Sequence, residues 1–411
     1  QWRDRLTAYD AASQRDFWLQ QASTQPATLP LDLPDGGNTY GDRATEELQF
    51  TNEETQALLR EVPQAYKAKV EDLMVTALVL AVTQWSERPD ICIDFEGYGR
   101  ADLGLDISRT VGWFTTLYPL RFDLTGTDGL DRVLKPVKEQ LRQAPDGGLG
   151  YGVLRYLNAD ADLQAQAAAP IRFNYLGQFE LSGDTPFAPA PEAIGPLHGA
   201  ANPHAHQLTV DAEVLMGQLT VRFGYSQAQY HTATIAALST AFARHLRSLL
   251  AHCLAPHTQG YTPSDFPLAE IQQQQLDDLI AAKGAIADLY SLSPAQQGML
   301  FHTLYAPNDG LYVTQFSYTL QGPLNVAALR QAWEDALARH PALRTAFAWE
   351  GLDRPLQYVE SQVELPWAES DCGDVPEERR SDKLEEILYA DRIKGFAPDS
   401  TPLMRLQAIR F

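Results

Sequence analysis

Cysteine is scarce in this chain: Cys92, Cys253 and Cys372 are three among 411 residues, far apart and with no C-x-x-C pair. So few and so scattered, they exclude a disulfide framework and fit free, buried thiols in a reducing compartment. Positive charge is also short. Against 53 Asp and Glu stand 32 Lys and Arg, for a net charge of −21 and a pI near 4.8. Such a surface repels nucleic acid and anionic lipid, so neither is expected as a partner. No apolar run approaches the eighteen or so residues that cross a bilayer. The polar start QWRDRLTAYD lacks a secretory-signal pattern and an initiating Met. A soluble, cytoplasmic chain is expected, cut from something longer.

Several chemistries are missing as well. There is no H-x-x-H, no HExxH and no Cys/His pair at ligand spacing, so no metal site is expected. The G-x-S-x-G elbow of acyl-transfer hydrolases is absent. Asp146-Gly147-Gly148 opens a glycine-rich run, but no Lys-Ser/Thr follows, which excludes a phosphate-cradling loop.

What is present is ordinary globular material, 45% hydrophobic and 21% charged, long enough for two or three domains. Spacing predicts helix over 1–22, a Pro- and Gly-rich loop, a strand over 44–51 and a helix over 52–66 opened by a Thr51/Glu54 capping box. Residues 70–85 are apolar almost all round, which predicts a buried helix. Strands are expected at 90–95, 117–122 and 171–175, with a helix over 129–142 that Pro136 should kink or split into two pieces. Clean alternation on both sides of Met216-Gly217 predicts a hairpin over 207–225, closed by a helix over 229–253. Pro, Gly and Gln crowd 254–287, which reads as a linker with one short helix near 268–282 and little to offer a core. A new unit then begins, with a strand over 311–320 and a helix over 324–339. Strands alternating with helices make the fold class α/β.

The stretch EGYGRADLGLDISRTVGWFTTLYPLRFD, residues 96–123, concentrates the chemistry. Glu96 ends an apolar strand, glycines follow, and Arg100 lies four residues on. A carboxylate and a guanidinium at a strand mouth form either a reactive site or a structural ion pair across a turn.

In order along the chain come EGYGR, RTVGWFTTLYP, PDGGLGYG and FNYLGQF. Together they resemble successive motifs of the epimerization domains of nonribosomal peptide synthetases. Further on, YSLSPAQQGMLFHTL and RHPALRTAF resemble the first two motifs of a condensation domain that follows an epimerase. The resemblance implies chloramphenicol-acetyltransferase-like lobes: the C-terminal lobe of an epimerization domain at 1–253, a linker at 254–288 and the N-terminal lobe of a condensation domain at 289–411. It implies Glu96 as the acid/base group, with Arg100, Asn174 and Tyr175 positioning substrate or enolate charge. Tyr98, Gly112 and Trp113 would line the tunnel wall, and Tyr98 stands where the family usually has His. Ser293, Arg339, His340 and Arg344 should hold the second lobe together.

The resemblance further implies no cofactor bound covalently to this chain. The substrate would arrive on the phosphopantetheine of a peptidyl carrier protein, with neighbouring synthetase domains as the other partners. One family feature is absent. No two histidines are adjacent, so the His-His-x-x-x-Asp-Gly loop that supplies the second acid/base group is not in this sequence. The parent activity would be L-to-D epimerization of a carrier-bound residue, followed by D-donor condensation. This chain by itself is expected to be inactive, or to serve as a docking scaffold between modules.

Overall fold

A computed structural model describes residues 1–21, 29–127, 129–179, 195–255, 260–306 and 312–411. Two units are distinguished, Gln1–Gly260 and Tyr261–Phe411.

In the first unit, runs that alternate apolar with polar residues form six strands: β1 (Arg43–Gln49), β2 (Asp90–Gly97), β3 (Thr116–Asp123), β4 (Ile171–Phe179), β5 (Leu208–Leu215) and β6 (Gln218–Ser226). They make one mixed sheet in the order β1-β6-β5-β4-β2-β3. β4 runs parallel to both β2 and β5, and the outer pairings are antiparallel. Because side chains alternate across a strand, each strand divides its residues between two faces. One face carries Ile93, Phe95, Ile171, Phe173, Val210, Ala212, Val221 and Phe223, all buried. The helix Val70–Ser86 packs beneath it, flanked by Leu130–Gln143 and Thr232–Cys253. Its burial on nearly every side accounts for the apolar pattern read from the sequence. The other face carries Asp94, Glu96, Arg172, Asn174, Thr209, Asp211 and Arg222, and every one of these is polar or charged.

Local signals mostly set the elements where expected. The Thr51 and Glu54 side chains close a capping box, and Met216 and Gly217, both at positive φ, turn the β5–β6 hairpin. The N-terminal run is two helices, Trp2–Thr7 and Arg15–Gln21, because the chain turns between them to bury Trp18 against Tyr118 and Tyr151. Pro136 sits inside the single helix Leu130–Gln143 without dividing it.

The second unit has a three-stranded antiparallel sheet, β7 (Ile286–Ser291), β8 (Thr345–Ala348) and β9 (Leu356–Glu360), in the order β7-β9-β8. A parallel pair, β10 (Trp367–Asp371) and β11 (Leu406–Arg410), completes its strands among the described residues. Two expectations are corrected here. The stretch read as a linker poor in core residues instead gives Tyr261, Phe266, Ala269, Ile271, Leu276 and Leu279 to this unit's core. Leu276 and Leu279 lie on the helix Gln273–Lys283, while Tyr261, Phe266, Ala269 and Ile271 precede it at irregular spacing that shows no period, yet Tyr261 and Phe266 meet with ring centroids 5.5 Å apart. The strand expected at 311–320 is also absent, since residues 313–320 form no regular element. No described strand lies alongside to satisfy its backbone, and Phe316, Tyr318 and Leu320 are exposed. Ser293 caps the helix Pro294–Tyr305, and His340 ends Val326–Arg339. Arg344 ties that helix end to β9 through the carbonyls of Leu337 and Glu360.

Candidate active site

Glu96 is the penultimate residue of β2, and its side chain emerges on the polar face with 14% of its surface exposed. The parallel pairing of β2 with β4 sets Asp94 opposite Arg172 and Phe95 opposite Phe173. Arg172 and Asn174 therefore rise on the same face as Asp94 and Glu96, while Phe173 goes into the core. Each carboxylate oxygen of Glu96 is held: Arg172 Nη1 donates to Oε1 at 2.8 Å, and Asn174 Nδ2 donates to Oε2 at 2.9 Å. On its far side Arg172 Nη2 donates to both oxygens of Asp211, at 2.8 and 3.1 Å. Burial pushes the Asp211 carboxyl upward, against the pull of the neighbouring Arg172 and Arg43 guanidiniums.

A second pair lies beside this one. His206 Nε2 is 2.9 Å from Asp94 Oδ2, and both side chains are about nine-tenths buried. Nearby His204 is pushed down to about 4, chiefly by burial, with Arg43, His206 and Arg172 opposing its charge.

All four motifs of the first unit meet at this end of the sheet. Gly97 passes so close to β3 and the 145–148 turn that a Cβ there would lie 2.5 Å from Thr116 Oγ1 and 2.8 Å from the Gly147 oxygen. Thr116 Oγ1 donates to that same oxygen at 2.7 Å. Gly99, at φ +67°, runs against the Phe114 carbonyl, where a Cβ would sit at 1.7 Å. Asp146 is fixed by Tyr9 and by Gln14, whose Nε2 donates to it at 2.8 Å.

Of the residues singled out from sequence, the structure brings Glu96 and Asn174 together. Arg100 goes elsewhere: its guanidinium donates to the carbonyls of Ile107 at 2.5 Å and Thr110 at 2.9 Å and lies over the Phe114 ring at 4.1 Å. It pins the loop between β2 and β3 and does not meet Glu96. Tyr175 follows Asn174 in the strand and so takes the opposite face, its ring against the core and its hydroxyl pushed up by burial. Gly112 is exposed and Trp113 is 89% exposed, while Tyr98 is 80% exposed and not packed at Glu96. The sequence reading missed Arg172, Asp211, Asp94 and His206. Alternation in IRFNY carried the signal for Arg172, since the residue two before Asn174 must share its face.

No described group of three or more His, Cys, Asp or Glu residues is placed to hold a metal. Burial pushes the thiols of Cys92 and Cys253 up to about 12, which makes them poor nucleophiles. A carboxylate held by two donors at the end of a sheet, beside glycines that let neighbouring backbone pack this closely, is equipped to exchange a proton with a bound substrate.

Comparison with known proteins identifies the lineage. Residues 1–271 and 286–411 match the condensation domain family. The chain belongs to that family. It is 40% identical over 418 aligned residues to a linear gramicidin synthase of Brevibacillus parabrevis, an alignment covering 98% of this chain and 8% of that protein. It is 35% identical to chondramide synthase of Chondromyces crocatus, across 100% of this chain and 12% of that one. The chain thus spans only about a tenth of such relatives. Among solved structures, the epimerization domain from the third module of tyrocidine synthetase B aligns with a TM-score of 0.57 at 34% identity. That alignment covers 62% of this chain and 59% of the solved one. The fold is the chloramphenicol-acetyltransferase-like α/β fold of condensation and epimerization domains, with mixed sheets flanked by helices, and the chain is nonribosomal peptide synthetase sequence.

Proposed function

We propose that the chain forms an epimerization–condensation junction of a nonribosomal peptide synthetase. Residues 1–253 would be the C-terminal lobe of the epimerization domain and 289–411 the N-terminal lobe of the condensation domain, with 254–288 between them. Its substrate would be an aminoacyl or peptidyl thioester on the phosphopantetheine of a carrier protein, and its partners carrier and adjacent synthetase domains. The likeness to a solved epimerization domain supports the first assignment, and a carboxylate held at both oxygens carries it.

In this reading Glu96 takes the Cα proton, the electron pair passes to the thioester oxygen as an enolate, and a group on the opposite side returns a proton to the other face of Cα. Asn174 keeps one carboxylate oxygen in place while the other faces Arg172. Arg100 contributes by fixing the 100–114 loop at the site's rim. The opposing acid/base group lies outside this sequence, since no paired histidines occur in it.

The test is Cα hydrogen–deuterium exchange in heavy water, with the synthetase carrying this chain and carriers loaded with L-leucyl- or L-phenylalanyl-pantetheine. Glu96→Gln should reduce exchange by roughly 10²–10⁴-fold; exchange at the wild-type rate would overturn the assignment. A second reading, a silent docking scaffold, is favoured for the isolated 411-residue polypeptide by the same lack of paired histidines. That polypeptide should show no exchange above background, and exchange abolished by Glu96→Gln would refute the scaffold reading.

A further inference from the structure

Arg172 divides one guanidinium between two carboxylates, and this division points to a role. Nη1 faces Glu96 and Nη2 faces Asp211, so the planar fork fixes both acids relative to each other. Its Nε–H is buried and finds no acceptor among the described residues, which leaves these two acids as its bonded partners there. In register, the residue facing Arg172 on β2 is Asp94 rather than Glu96. Asp94 is already engaged by His206 at 2.9 Å, and this frees the arginine for Glu96. Asp211 has a second cation nearby in Arg43, which itself donates to Thr209 Oγ1 at 2.7 Å.

We propose that Arg172 and Asp211 are the positioning pair for Glu96, together fixing the direction in which its carboxylate points. The inference rests on the reading of Glu96 as the proton-handling group. Arg172 orients Glu96 Oε1 directly, and Asp211 acts through the guanidinium by anchoring its other terminal nitrogen. The remaining charged groups on this face are otherwise engaged. Asp94 and His206 hold each other, Arg121 of β3 is bonded to Asp90, and Arg222 of β6 is bonded to Glu213 and Glu47. His204 is held neutral down to about pH 4.

Removing either member of the pair should therefore lower kcat while leaving KM for the carrier nearly unchanged. Arg172→Gln should reduce kcat by roughly 10- to 100-fold. Arg172→Lys keeps the charge but loses the fork; it should recover only part of kcat. Asp211→Asn keeps one acceptor for Nη2 and should lower kcat less than Arg172→Gln does.

The experiment is the same heavy-water exchange, run over a range of carrier concentrations to separate kcat from KM, for these three variants and for Glu96→Gln. Arg172→Gln leaves two largely buried carboxylates without their shared cation, so its folding is checked by thermal melting. If it does not fold, Asp211→Asn and Arg172→Lys decide. Loss of exchange in Glu96→Gln, with kcat unchanged in the Arg172 and Asp211 variants or fully restored by Arg172→Lys, would sink the pairing and leave Glu96 standing. Wild-type exchange in Glu96→Gln would take both down.

Discussion

At the scale of single residues, the site depends on which neighbour each charge meets, and sequence distance is a poor guide to that. Arg100, four residues from Glu96, spends its donors on the carbonyls of its own loop. Arg172, 76 residues away, reaches the carboxylate because β4 lies beside β2. Glu96 and Asn174 were legible in the motifs. Their contact was not, since it depends on which strands pair and in what register. Tyr175 shows the same limit, because adjacency in FNYLGQF means opposite faces once the segment is a strand. His204 gives a test at this scale that does not involve activity. Its folded value of about 4 lies below the unfolded value of 6.5. Its contribution to stability is complete above pH 6.5 and is lost as the pH falls toward 4, because only the unfolded chain then takes up the proton. Urea midpoints measured between pH 7.5 and 4.5 should fall more steeply for wild type than for His204→Gln; parallel curves would contradict the assignment.

At the scale of elements, the sequence spoke most clearly where one physical term dominated. The helix Val70–Ser86 was readable because burial on nearly all sides demands apolar residues at nearly all positions. The hairpin was readable because its turn needs two residues at positive φ, and Met216-Gly217 interrupts otherwise clean alternation. Where several weak terms competed, the sequence was less informative. The strand expected at 311–320 has the right alternation but no described neighbour, and a strand is stable only as part of a sheet. Leu78, fully buried in the central helix, tests the core beneath the site. Leu78→Ala should cost about 2–5 kcal/mol, read as a lower denaturant midpoint with an unchanged m-value. A loss under 1 kcal/mol would mean that this helix is not the floor of the sheet.

At the scale of the whole molecule, the division near residue 260 matters more than the composition shift at 254 suggested. Residues that look like tether are structural, since Phe266, Ala269 and Leu276 are almost fully buried in the second unit. A fragment of residues 261–411 should accordingly melt more cooperatively than one of residues 289–411, which lacks much of that core; equal melting would contradict this packing. The sheet of the first unit carries a different implication. With hydrocarbon on one side and ionic groups on the other, β4 cannot gain or lose one residue near Phe173 without exchanging the two sets. Such a shift would drive a guanidinium among the helices and turn an aromatic ring onto the charged face, so the core and the contacts of Glu96 would fail in a single step. Anyone recombining synthetase segments should place junctions at the Met216-Gly217 turn and leave that strand whole.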